Sequence, residues 1–400
     1  MCKVKKLITS DNKSLLDLPA PDGYALEQSR LLAALVHAEI EANRGDIGFD
    51  RYMEMALYQP GLGYYSAGAR KFGPGGDFTT APETSPLFSI CLARQCAQIF
   101  NMTGSARVLE LGAGSGVMAC DILTELRRIG ALPEQYLILE TSADLRQRQQ
   151  QLLQVTHPDL TDRLVWLDSL PAQSVNGVIL ANEVLDAIPV QRIWINHNRI
   201  HELRVGYEGD GFVWRQSPHE VSLASVLNDL VYDLPDGYIS EFNSMLPAFI
   251  DALSVALGNG ALLLIDYGYT RQEYYHPQRM EGTLACYYRH RRHDNPFINI
   301  GIQDITASVD FTLVAESAHA SGLDVYGYSN QAGFLVSCGL EKILGEISAG
   351  DDKRHLAYSQ QAGRLLLPGQ MGESFKVMSL GRNLAQPLIG TGFGSQLHRL

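Results

Sequence analysis

Five short apolar runs, each with an acidic or amide residue at or beside its end, constrain this chain more than any other feature. They are Val108-Leu109-Glu110-Leu111, Tyr136 to Glu140, Leu164 to Asp168, Val178 to Asn182 and Ala261 to Asp266. Helix-like sequence follows the first two, from 117 to Arg128 and up to Leu153. Nearly continuous apolar strands alternating with helices predict a parallel sheet covered on both faces. In open sheets of this kind, ligands bind beyond the carboxyl ends of the strands. The acidic residues at those ends are therefore the first place to look for chemistry.

The rest of the chain surrounds this alternation. Leu31, Leu32, Leu35, Val36 and Ile40 have helical spacing, and 51–58 reads as a second short helix stopped by Pro60-Gly61. Residues 60–86 are rich in Gly and Pro without a period, which marks a functional loop. Ser85-Pro86 is a helix start, a cap followed by proline at the first helical position. Residues 190–215 read as an antiparallel meander, whereas 271–299 have no clean period. Further on, 304–320 reads as helix, 323–328 as strand, 330–368 as helices and 374–380 as a last strand, with the final strands forming an antiparallel sheet edge. The expected organisation is an arm and helical cap over 1–100, then one α/β domain over 101–400. That domain carries insertions at about 190–257, 271–299 and 330–368.

Composition removes several function classes. The 400-residue chain has a net charge of -12, and an acidic chain does not wrap phosphate backbones non-specifically, so nucleic acid is not the expected partner. Its 6 cysteines form no CxxC pair. They read as reduced thiols, and with no signal-like or transit-like N-terminus they predict a cytoplasmic protein. The longest apolar stretch, 247–265, is broken by Asp251 and Gly258-Asn259-Gly260, so no membrane span is expected.

The segment Glu110-Leu111-Gly112-Ala113-Gly114-Ser115-Gly116 follows a strand and opens a helix. Its glycines permit a sharp turn and close approach of a ligand to the backbone. A dinucleotide loop has G-x-G-x-x-G spacing and holds pyrophosphate. Here the spacing is G-x-G-x-G, and Glu110 would repel pyrophosphate but pair with an ammonium. That favours S-adenosylmethionine over a dinucleotide, with a ligand-free tight turn as the remaining alternative. Glu140 is placed to accept from ribose hydroxyls, or else serves a helix N-terminus. Asp168 is placed to meet an adenine amino group, or else caps the turn that follows.

Long motifs outside this loop carry a family resemblance. They are Ala56 to Tyr65, Gly76 to Glu83, Ala181 to Val190, Cys286 to His290 with Asp294 to Phe297, Asp304-Ile305-Thr306 with Val309-Asp310-Phe311, and Met371 to Val377. Through them the chain resembles the MidA / mitochondrial complex I assembly-factor family of class I S-adenosylmethionine-dependent methyltransferases. The resemblance implies a Rossmann-like class I methyltransferase fold and S-adenosylmethionine as cofactor. It also implies methyl transfer to an arginine of a protein, linked in mitochondrial members to respiratory complex assembly. It places Asp77, Phe78, Thr79 and Thr80 over the cofactor. A non-catalytic cofactor-binding assembly factor and a small-molecule methyltransferase remain the alternatives.

Methyl transfer is an in-line displacement in which alignment supplies much of the gain. A guanidinium stays protonated and needs carboxylates to orient it. Asn182, Glu183 and Asp186 follow the fourth strand, and on a helical turn Glu183 and Asp186 share a face. They are the expected catalytic residues, against a plain solvated helix start. Tyr274, Tyr275, Tyr287 and Tyr288 lie in the 274–299 segment after the fifth strand. Tyr287 and Tyr288 are expected to stack on the acceptor guanidinium, against packing into a core. Cys286, His290 and His293 are too few for a zinc site and stand among Arg289, Arg291 and Arg292, so no metal is expected.

Overall fold

The computed structural model describes residues 18–67, 80–220 and 231–400. They divide into two compact units, each assembled from three chain segments. One contains the described residues of 1–78, 186–245 and 271–308, and the other those of 79–185, 246–270 and 309–400.

The second of these is built on an eight-stranded sheet. Its main strands in chain order are β1 (Arg107–Leu111), β2 (Gln135–Leu139), β3 (Leu164–Leu167), β4 (Val175–Asn182), β5 (Leu257–Tyr269), β6 (Asp324–Asn330) and β7 (Phe375–Arg382). Their spatial order is 3-2-1-4-5-7-6, with the short strand Val309–Asp310 parallel to the end of β5. Strands β1 to β5 are mutually parallel, and β7 runs antiparallel between β5 and β6. The five apolar runs are thus the five parallel strands. Leu262, Leu263, Leu264 and Ile265 of β5 are fully buried, each contributing about 1.5–3 kcal/mol of transfer free energy. Order reverses between β1 and β4, so their carboxyl ends form the switch point where ligands bind.

Helices cover the sheet for local reasons. Helix Pro86–Thr103 starts at Ser85, whose Oγ accepts from Leu87 N at 3.3 Å, and stops at Gly104 with φ 65°. Helix Val117–Arg128 packs beside it. The expected helix from 304 begins later, at Phe311. Asp310 caps it by accepting from Thr312 N and Leu313 N, and Asp304–Thr306 is instead a strand paired with Ala285–Tyr288.

The other unit contains helices Gly23–Ala42 and Phe49–Tyr58 and two small antiparallel sheets. The meander runs through Gln191–Asn196, Arg199–Glu208 and Gly211–Glu220. A hairpin, Ala285–Tyr288 with Arg291–His293, supplies order where the sequence has no period. Phe49, Tyr52, Met53, Tyr64, Val205, Cys286 and Ile305 share its core. In the first helix Gln28, Leu32, Val36 and Ile40 are buried; Leu31 and Leu35 face solvent, so the apolar stripe is narrower than the sequence predicts.

Candidate active site

At the carboxyl end of β1 the chain turns through three left-handed glycines, Gly112, Gly114 and Gly116, with φ of 61°, 55° and 84°. Side chains resist this conformation, which explains the glycines. Gly112 N donates to Leu139 O at 3.0 Å, joining the loop to β2. Ser115 Oγ donates to Glu83 Oε1 and thus ties the loop to helix Ala81–Thr84. Asp121 lies near Glu83, and burial together with that charge pushes its pKa up to about 6.

Glu110 is fully buried beneath this loop. Its Oε2 accepts from the Tyr136 hydroxyl at 2.6 Å, whereas its buried Oε1 accepts no hydrogen bond from the described residues. Burial pushes its pKa up to about 7; the Tyr136 hydrogen bond opposes the shift and Glu140 adds to it. An acceptor oxygen without a donor, under backbone open to close approach, fits the ammonium end of an amino acid.

The ends of β2 and β3 are linked through one side chain that sequence reasoning missed. Glu140 is buried and its Oε1 accepts from Ser142 N at 2.9 Å. Gln149 Nε2 donates to Glu140 Oε2 at 3.0 Å and to Gly114 O at 2.9 Å. Asp168 is exposed, and its Oδ1 accepts from Arg146 Nη2 at 2.7 Å. Arg146 also donates to Glu140 O and Leu167 O. Asp168 is thus oriented by an ion pair. Thr80 is buried and its carbonyl accepts from Thr84 N at 3.0 Å. Asp77, Phe78 and Thr79 lie outside the described residues.

At the end of β4, Asn182 Nδ2 donates to Glu183 Oε1 at 3.2 Å, and the buried Asn182 Oδ1 accepts no hydrogen bond from the described residues. Glu183 is left-handed at φ 53°, a strained conformation for a side-chain-bearing residue. Two bonds from the end of β5 hold it there. Glu183 N donates to Ile265 O at 2.9 Å, and Leu185 N donates to Oδ2 of the buried Asp266 at 2.9 Å. The adjacent Val184 reaches the glycine loop, where a Cβ on Gly112 would lie 3.5 Å from Val184 Cγ2. The expected helical turn joining Glu183 to Asp186 does not exist: residues 183–190 contain no helix. The left-handed Glu183 prevents one, and after Leu185 the chain passes into the other unit.

In that unit Asp186 is buried and its carbonyl accepts from Ala307 N at 3.0 Å. Tyr65 donates to Asp304 Oδ1 at 3.1 Å. Tyr274, Tyr275 and Tyr288 are buried, and Tyr275 donates to Glu241 O at 3.2 Å. Tyr287 alone of the four is half-buried, and burial raises its hydroxyl pKa. Cys286 and His293 face each other across the hairpin. Among the described residues no group of three His, Cys, Asp or Glu stands together as metal ligands, and no helix is long and apolar enough to cross a membrane.

The 3-2-1-4-5-7-6 sheet, with a glycine loop and carboxylates at its switch point, defines a class I methyltransferase. Over residues 91–329 the chain matches the family described as "Putative S-adenosyl-L-methionine-dependent methyltransferase". The chain belongs to that family, and its cofactor is S-adenosyl-L-methionine. A superfamily member from Burkholderia thailandensis, whose crystal structure holds S-adenosyl-homocysteine, is 41% identical with a TM-score of 0.92 over 96% of this chain and 100% of its own. A Danio rerio protein named "Protein arginine methyltransferase NDUFAF7, mitochondrial" is 27% identical over 84% of this chain and 83% of its own length. The Caenorhabditis elegans homologue of that name is 26% identical over 94% and 92%. The two animal relatives are named as mitochondrial, which overturns the cytoplasmic location expected from the sequence. Sparse cysteines report reducing surroundings, and that property does not single out one compartment.

Proposed function

We propose that this chain methylates an arginine side chain of a protein. The observation that carries the reading is Glu183. This carboxylate is held in a strained turn at the end of β4, bonded to Asn182 and adjoining the glycine loop through Val184. The curated relatives named as protein arginine methyltransferases support it.

When bound, S-adenosyl-L-methionine supplies an electrophilic methyl group on a sulfonium. The roles of the chain's own residues follow from their positions. Glu110 pairs with the ammonium, the 112–116 backbone accommodates the amino-acid end, and Glu140 accepts from the ribose. Asp168, aligned by Arg146, meets the adenine edge, and Thr80 belongs to the segment proposed to cover the site. Glu183 and Asn182 grip the guanidinium and hold one nitrogen in line with the methyl. As the carbon–nitrogen bond forms, the methyl carbon–sulfur bond breaks and S-adenosyl-homocysteine is left; the nitrogen loses a proton, which Glu183 receives and passes to solvent. In the other unit, Asp186 and Tyr287 are proposed to bind the acceptor chain.

The test is incubation of lysate from a strain lacking this protein with the purified chain and methyl-labelled S-adenosyl-L-methionine, followed by mapping. Label on arginine of a protein, enriched in respiratory complex subunits, is the expected result. Label confined to small molecules, or no label at all, would overturn it.

A further inference from the structure

Gln149 lies on helix Ala143–Thr156, on the stripe it shares with Leu145 and Leu153, and is fully buried. Its three hydrogen bonds go to three different strand ends. Nε2 donates to Gly114 O at 2.9 Å in the loop after β1, and to Glu140 Oε2 at 3.0 Å after β2. Oε1 accepts from Trp166 Nε1 at 3.0 Å in β3. Both amide protons are committed, and reversing the amide would set its oxygen against a carbonyl and a carboxylate. The side chain also abuts the loop: a Cβ on Gly116 would lie 3.3 Å from Gln149 Cα and Cγ.

We propose that Gln149 is the positioning residue that couples the glycine loop to Glu140 and so fixes the spacing between the amino-acid and ribose subsites of the cofactor. The physical basis is that one planar amide holds both. Glu140 already accepts from Ser142 N through its other oxygen, so the Gln149 bond fixes the carboxylate plane. The bond to Gly114 O fixes the peptide that the cofactor's amino-acid end approaches. Neither group can shift without the other. The inference rests on the ribose role of Glu140 proposed above and is independent of the acceptor.

The experiment titrates the full chain calorimetrically with S-adenosyl-homocysteine. Gln149→Met keeps the length and removes both amide donors and the carbonyl acceptor. It is expected to weaken binding at least tenfold, but less than threefold in a Glu140→Gln background, because the coupling is already broken there. Measured against wild type at each pH, Gln149→Glu is expected to lose progressively more affinity as pH rises from 6 to 8, since the introduced carboxylate repels Glu140 once ionised. A merely structural role would not produce that slope. Equal penalties in both backgrounds, or unchanged affinity in Gln149→Met, would overturn the coupling. Unchanged affinity in Glu140→Gln alone would instead overturn the ribose assignment. Should Gln149→Met fail to fold, Trp166→Phe removes only the donor to Oε1. A threefold or greater loss supports the proposal, and no loss refutes it.

Discussion

The Glu110 carboxyl makes cofactor binding depend on pH in a direction the structure dictates. An ordinary glutamate titrates near 4.3, whereas burial carries Glu110 to about 7. Between those values the folded chain keeps a proton that the unfolded chain has released. Stability therefore falls as pH rises through this window and levels off above about 7. A shift of this size corresponds to on the order of 3 kcal/mol. Cofactor binding has the opposite sign, because only the ionised carboxylate pairs with the ammonium. At pH 6 about nine-tenths of the sites are protonated, so affinity should be roughly tenfold below its plateau. Binding there should release close to one proton. The cofactor's own amino group titrates near 8, so Glu110→Gln is the needed reference. The assay is calorimetric titration with S-adenosyl-homocysteine at pH 6 and pH 7.5, in buffers of different ionisation enthalpy. Wild type should show a gain of about eightfold between these two pH values and the proton release, and Glu110→Gln neither. If the two proteins follow the same pH profile, Glu110 does not meet the ammonium and the reasoning fails.

Three further predictions concern the ends of β1, β4 and the hairpin. Gly114→Val, at φ 55°, should abolish S-adenosyl-homocysteine binding while circular dichroism stays native, since a β-branched residue resists the left-handed conformation; retained affinity would move the cofactor elsewhere. Glu183→Gln should keep cofactor affinity but lose at least tenfold in kcat, about 1.4 kcal/mol of barrier, and turnover within twofold of wild type would make Glu183 structural. Tyr287→Ala should weaken acceptor binding with little change in Tm, whereas Tyr288→Ala, at a buried ring, should lower Tm by several degrees without selective loss of acceptor; the reverse pattern in thermal melts and acceptor titrations would exchange their roles.

The sheet was legible because fully buried parallel strands leave a short-range signature. Apart from Glu110 and Asp266, the runs Val108 to Leu111 and Ala261 to Asp266 are apolar at consecutive positions, and that needs no knowledge of partners. The glycine loop was legible for a similar reason, since left-handed backbone demands particular residues at particular positions. Gln149 was not, because it stands in a run of Gln and Arg from 146 to 151 whose members look alike. Helical phase supplied the missed signal: a polar residue midway between Leu145 and Leu153 sits where an apolar one belongs. The turn at Glu183 was misread because helical spacing of two carboxylates says nothing about φ. Its strain is imposed by Ile265 and Asp266, about eighty residues downstream. The strand Asp304–Thr306 was hidden likewise, since its pairing partner has no periodicity of its own.

The interleaving of the two units has a consequence for biosynthesis. Residues 18–67 belong with a segment that closes only at 308. At about 5–20 residues per second, a nascent chain emerges for roughly ten to forty seconds before that unit has all its parts. The sheet waits longer still: β7, the last of the numbered strands to be made, inserts between β5 and β6. Until then one side of β5 offers unpaired backbone groups to any passing strand. A ribosome that stalls between Asn330 and Phe375 would therefore expose this edge, and chaperone demand should peak there and fall once β7 has been translated.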